Sequence, residues 1–189
     1  MRTAFKEWAI VVDALGRGEQ ILILRKGGIS EGRGGFTVEH QEFLLFPTLF
    51  HQQRELVTTA AQARFDEISP HWPPPEIVRL EFVAEVVAWR ELDSLSSAEL
   101  LKAFHCWQDK VIAERFDWGH AKNIVAMALR VSQLPLPIEL PMSPAYGGCK
   151  SWVELDREIV TTGAVPVLEQ TVFDQKLNAF LAALNDHSP

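Results

Sequence analysis

The chain has 189 residues, 47% of them hydrophobic and 23% charged, with a formal net charge of −7. That balance supports a buried core and excludes a generally basic nucleic-acid-binding surface; a local basic groove depends on clustering rather than on the sum. No apolar run reaches the ~20 residues of a membrane span. The N-terminal stretch is interrupted by Lys6, Glu7 and Asp13 and lacks a small-residue cleavage pattern. These features point to a cytoplasmic protein with reduced thiols.

In chain order, "TAFKEWAIVVDALGRG" places Phe5, Trp8, Val12 and Leu15 at helical spacing, with Thr3 as N-cap and Gly16 and Gly18 as stops. The alternative is a strand at "AIVVDAL". "QILILRK" reads as a buried strand between glycines, and "GGISEGRGGF", half glycine, as a loop. "EFLLFPT" is a second strand, stopped by Pro47, and "QQRELVTTAAQARFDEI" is helical in composition. "SPHWPPPE" forces an extended, exposed connection.

"IVRLEFVAEVVAWREL" alternates Val78, Leu80, Phe82, Ala84 and Val86 against Arg79, Glu81 and Glu85, which predicts a long strand with one buried face. "SSAELLKAFHCWQDKVIAERF" opens with a capping box, Ser96 to Glu99, and reads as one long or two short helices. "IVAMALRVSQL" and "CKSWVELD" are strands on either side of the proline-rich "PLPIELPMSPAYGG". The chain closes on an amphipathic helix whose face draws on Leu168, Val172, Leu177, Phe180, Leu181 and Leu184. Four or five strands irregularly mixed with helices predict an α+β class, with a small mixed or antiparallel sheet curled into a barrel. One domain is expected over residues 1–189, with a barrel-like core to 155 and a C-terminal segment, 156–189, that ends in a helix.

Two places combine basic, glycine and aromatic residues. In "RKGGISEGRGGF" neither GxxxxGK[ST] nor a GxGxxG that opens a helix is present. What remains is a glycine-rich turn whose N–H groups converge on an anion beside Arg25, Lys26 and Arg33, or else a hairpin loop with solvated tips. In "AYGGCKSWVEL", Tyr146, Lys150 and Trp152 stand beside two glycines: Trp152 is placed to stack a base and Lys150 to meet a phosphate, or the segment is a turn and a strand with a core Trp.

Other chemistry is less well supported. His40 and His51 flank a strand, yet no HxH or HExxH pattern occurs, so no metal and no cofactor is expected. Cys149 beside Lys150 would alternate faces on a strand, which favours a small packed residue over a nucleophile. Asp13, Glu19 and Lys26 surround the first predicted strand without the carboxylates sitting on it, a poor arrangement for a metal-dependent nuclease.

The stretches "FKEWAIVVDALGRGEQILILRKGGI", "EHQEFLLFPT", "MALRVSQLP" and "YGGCKSWVEL" together resemble domain-of-unknown-function family 1802, over nearly the full length. More distantly, the order of elements resembles the ASCH branch of the PUA-like superfamily, small β-barrels with flanking helices, many of which bind RNA or modified nucleosides. The register of their G-x-K-x-x-E-x-R signature falls here on Gly18, Gln20, Ile23 and Arg25. The glycine and the arginine match. The lysine and the acid that carry amidohydrolase chemistry in that branch are replaced, so the resemblance implies a groove residue at Arg25 and not that activity.

The expected function is therefore recognition of nucleic acid, single-stranded RNA above all, or of a nucleotide, through a groove containing Arg25, Lys26, Arg33, Tyr146, Lys150 and Trp152. The alternatives are a hydrolase or metal-dependent nuclease acting on nucleic acid or a nucleoside, and a protein-interaction module. Whether there is any catalysis, and whether the chain forms a homodimer, the sequence leaves open.

Overall fold

The first strand decides the architecture. In the computed structural model, which describes residues 1–26, 38–119 and 122–185, strand β1 (Thr3–Trp8) runs parallel to β3 (Glu42–Thr48) and antiparallel to β6 (Trp152–Glu154). Helix α1 (Ala9–Gly16) starts only where β1 ends. The expected single helix from Thr3 is thus corrected. Helical spacing of Phe5 and Trp8 is overridden because residues 3–8 find their backbone partners on two neighbouring strands, a tertiary gain that outweighs a weak local preference. The "AIVVDAL" segment is helix, not strand.

The remaining strands are β2 (Leu22–Arg25), β4 (Ile77–Leu92), β5 (Ile124–Pro141) and β7 (Val165–Pro166). They make one seven-stranded mixed sheet among the described residues, in the order β2-β5-β4-β3-β1-β6, with β7 on β5. The fold is α+β, and the sheet curls into a half-barrel. Its two edge strands do not pair. Instead Arg25 at the end of β2 donates from Nε to Ser151 Oγ, just before β6, at 2.8 Å.

Alternate residues of β1 and β3 enter two cores. Phe5, Phe43 and Leu45 join the larger one, with α1, β2 and the first half of β5. Ala4, Leu44 and Phe46 join the smaller one, with Val78, Leu80, Tyr146, Val153 and Leu155. Helix α5 (Gln170–Asn185) closes the larger core through Phe173 and Phe180, both buried. Of the face expected for it, Val172 points outward and Phe173 takes its place.

Helices α2 (Thr59–Ile68), α3 (Leu95–Glu99) and α4 (Asp109–Asp117) fall within predicted helical segments, the last two as separate short helices. Helix α3 is capped by Ser94, whose Oγ accepts from Ser97 N–H at 3.2 Å, so the Ser96–Glu99 box is not the one used. Pro47 lies inside β3, and Pro135, Pro137 and Pro141 lie inside β5. Pro135 and Pro137 fall where a bulge interrupts pairing with β4 between Leu80 and Phe82, and Pro141 is the last residue of the strand. Among the described residues, no helix is long and apolar enough to cross a membrane. Cys106 and Cys149 are not bonded to each other.

Two features of this packing are testable. Gly16 ends α1 directly under the Phe82 ring, where an added Cβ would overlap the aromatic carbons. Gly16→Ala is expected to lower stability by about 1–3 kcal/mol, read from the midpoint of urea unfolding. His105 is buried beside Trp107, its Nδ1 without a partner among the described residues, and burial lowers its pKa from 6.5 to about 4. The unfolded chain then binds a proton below pH 6.5 that the native state refuses until about pH 4. Stability should therefore fall across that window, by about 3 kcal/mol from this group. His105→Gln should remove most of that loss when unfolding is compared at pH 7 and pH 4.5.

Candidate functional site

Where β1 gives way to α1, the ends of β2 and β3 and the turn before β6 surround a cleft of about 1020 Å³. Lys6 enters it from β1. Its Nζ donates to the carbonyl oxygens of Tyr146, at 2.7 Å, and Gly148, at 2.9 Å. Lys150 Nζ donates to Ala145 O of the same turn at 2.6 Å. Arg25 approaches from β2, its guanidinium 5.4 Å from the Phe5 ring centroid, and is tied by Nε to Ser151, whose carbonyl accepts the Lys6 backbone N–H at 2.8 Å. Three cationic side chains thus gather on residues 145–151. Among the described residues, no carboxylate lies within 4.0 Å of any of them. Burial, and then the charges of Lys150 and Arg25, lower the pKa of Lys6.

The other cations lining the cleft are neutralised. Arg17 pairs with Asp13 at 3.0 Å and Glu19 at 2.6 Å, and Arg79 with Glu139 at 2.7 Å. The walls are largely apolar and include Trp8, Phe46, Phe50, Trp72 and Phe82. Phe50 is 73% exposed and its ring centroid lies 4.0 Å from that of His51, which holds a φ of 65°. That left-handed backbone in a non-glycine residue is costly and is the kind of strain that collects at binding sites. Trp72 is held edge-on by Phe65, with centroids 5.0 Å apart. The proline segment after α2 therefore forms a wall of the cleft, through His71, Trp72, Pro73 and Pro75.

Glu7 also lines the cleft and is 1% exposed. Its Oε1 accepts the Trp8 N–H at 2.8 Å, and its Oε2 has no hydrogen-bond partner among the described residues. A cation, Arg115, stands 4.0 Å away. Arg115 lies over Trp8 and Trp107 and donates to Leu24 O at 2.8 Å; burial lowers its pKa, against the opposing pull of Glu7.

The family described as "Domain of unknown function (DUF1802)" matches residues 4–179. The chain belongs to this family. Two solved structures of ZmASCH from Zymomonas mobilis, each of a single-residue mutant, are similar to it in fold. The serine-to-alanine mutant is 13% identical, with a TM-score of 0.43 and 94% of each chain covered. The tyrosine-to-phenylalanine mutant is 12% identical, with a TM-score of 0.44 and coverage of 94% of this chain and 96% of the other. No curated protein matches the chain significantly.

In this DUF1802 chain, Arg25, Tyr146 and Lys150 reach the cleft. Tyr146 does so from a buried position, its hydroxyl accepting the Asp156 N–H at 3.0 Å. Lys26 is placed elsewhere: its Nζ donates to Asn123 O at 2.8 Å and to Phe116 O, near the end of α4, at 3.3 Å. Trp152 packs edge-on against Phe5, Phe43 and His40, with centroids 4.8–5.0 Å apart, and does not line the cleft. Arg33 lies outside the described residues. Cys149 is exposed on the cleft, and His51 stands at its rim. Among the described residues, no three His, Cys, Asp or Glu side chains are grouped to hold a metal ion. Asp13 is engaged by Arg64 as well as Arg17.

Sequence reasoning missed Lys6 and Glu7. Their signal was present as two charges between Phe5 and Trp8, but it becomes legible only once that segment is read as a strand. Glu7→Ala is expected to cost about 2–3 kcal/mol, because it leaves the mostly buried Arg115 without a nearby carboxylate. Adding Arg115→Met should recover much of that loss in urea unfolding.

Proposed function

We propose that the cleft binds nucleic acid or a nucleotide. The observation that carries this reading is the trio Lys6, Arg25 and Lys150, brought to one cleft with no acidic partner among the described residues, in a protein of net charge −7. Gathering like charges without a counter-ion is unfavourable, and an anionic ligand supplies what is missing. Arg25 lines the cleft, and its planar guanidinium suits a two-point contact with phosphate, with the lysines as point charges beside it. The aromatic walls suit a planar base, which stacks without needing a hydrogen-bond code. The volume is that of a small-molecule or cofactor site. Single-stranded RNA is the macromolecular form of this ligand.

The test is fluorescence anisotropy with labelled single-stranded RNA and labelled ATP, at ~50 and ~200 mM salt. Binding to at least one of them is expected, weaker at the higher salt. Arg25→Ala/Lys150→Ala should reduce it at least tenfold while the protein still unfolds cooperatively. Binding indifferent to both salt and the variant would reject the reading.

A further inference from the structure

We infer that the site is built for a single terminal phosphate, the dianionic phosphomonoester of a mononucleotide or of a strand end, and not for the backbone of a strand running through it. This rests on the nucleotide-binding reading and narrows it. A strand presents a phosphate at every nucleotide, so a protein that follows it needs unpaired cations along its path. Among the described residues of the cleft, positive charge without a carboxylate partner is confined to one place. Lys6 and Lys150 both bond carbonyls of the turn at residues 145–148, and Arg25 joins Lys6 through Ser151. Elsewhere on the cleft Arg17 and Arg79 are already matched by Asp13, Glu19 and Glu139.

The rest of the lining offers a second phosphate no cation without a carboxylate partner among the described residues. Asp13, Glu7 and Glu81 are its carboxylates, and most of its surface is aromatic or aliphatic. Three cations gathered on one turn and a mainly apolar remainder match a ligand with one concentrated charge and one flat apolar body. The turn itself requires its two glycines, which keep side chains off it beside the cations: an added Cβ at Gly147 would crowd Pro144 O at 3.1 Å, and Gly148 holds a φ of +81°.

The experiment compares AMP, adenosine, a 5′-hydroxyl hexa-adenylate and its 5′-phosphorylated form by calorimetry on the full chain, with Lys150→Ala alongside. AMP and the phosphorylated hexamer are expected to bind at least tenfold more tightly than adenosine and the hydroxyl-ended hexamer. Lys150→Ala should shrink the AMP-to-adenosine ratio. A hydroxyl-ended hexamer that binds more tightly than AMP, with a salt slope growing by about 0.7 per phosphate, would overturn the single-phosphate site and leave nucleic-acid binding standing. Equal affinity for AMP and adenosine would also overturn it. No binding by any of the four would overturn the nucleotide reading, and this inference with it.

Discussion

Strand β1 has polar backbone on both edges, and both edges are satisfied only when it lies between β3 and β6. That placement sets the charged pair Lys6 and Glu7 between two paired strands, on opposite faces of β1. Lys6 is met by carbonyls of the turn before β6, and Glu7 by the first N–H of the β1–α1 junction and by Arg115. Because β6 is the other edge of the half-barrel, the same pairing brings Ser151 to Arg25. The cleft, its cations and its buried carboxylate all hang from this one arrangement.

The cost of the arrangement is concentrated where the function is inferred. The two cores are built mainly from apolar side chains. The cleft holds three cations without carboxylate partners among the described residues, a half-satisfied buried acid and a non-glycine residue with positive φ. Folding alone does not reward such features; sites that bind charged ligands tolerate them because the ligand completes the electrostatics. The net charge of −7 makes the contrast sharper, since a local positive point in an acidic protein directs an anion to one place.

Much of the fold was legible because its signals are local. "EFLLFPT" and the alternating "IVRLEFVAEVVAWREL" are strands with the predicted bounds, since a short continuous apolar run in the first and period-two patterning in the second need no distant partner to be recognised. The C-terminal helix was legible for the same reason, apart from Val172, whose side of the helix depends on where Phe173 docks. The N-terminal strand was not. Phe5 and Trp8 sit three apart in strand and helix alike, and only the neighbouring strands decide between the two. The prolines of β5 misled for a related reason, because Pro135 and Pro137 fall at a bulge in the pairing with β4 and Pro141 ends the strand.

The sequence by itself determined the α+β class and most of the strands, and it contains neither of the familiar phosphate-loop motifs, each a property of residues near one another in the chain. Tertiary structure alone decided the site. Lys6, Arg25 and Lys150 come from β1, β2 and the turn before β6, and they meet because the first strand pairs with the last edge of the sheet. Lys26, next to Arg25 in sequence, points instead to the end of α4, since successive residues of extended chain face opposite ways. Charge clustering is a property of space, and Arg25 and Lys150 stand 125 positions apart in the chain.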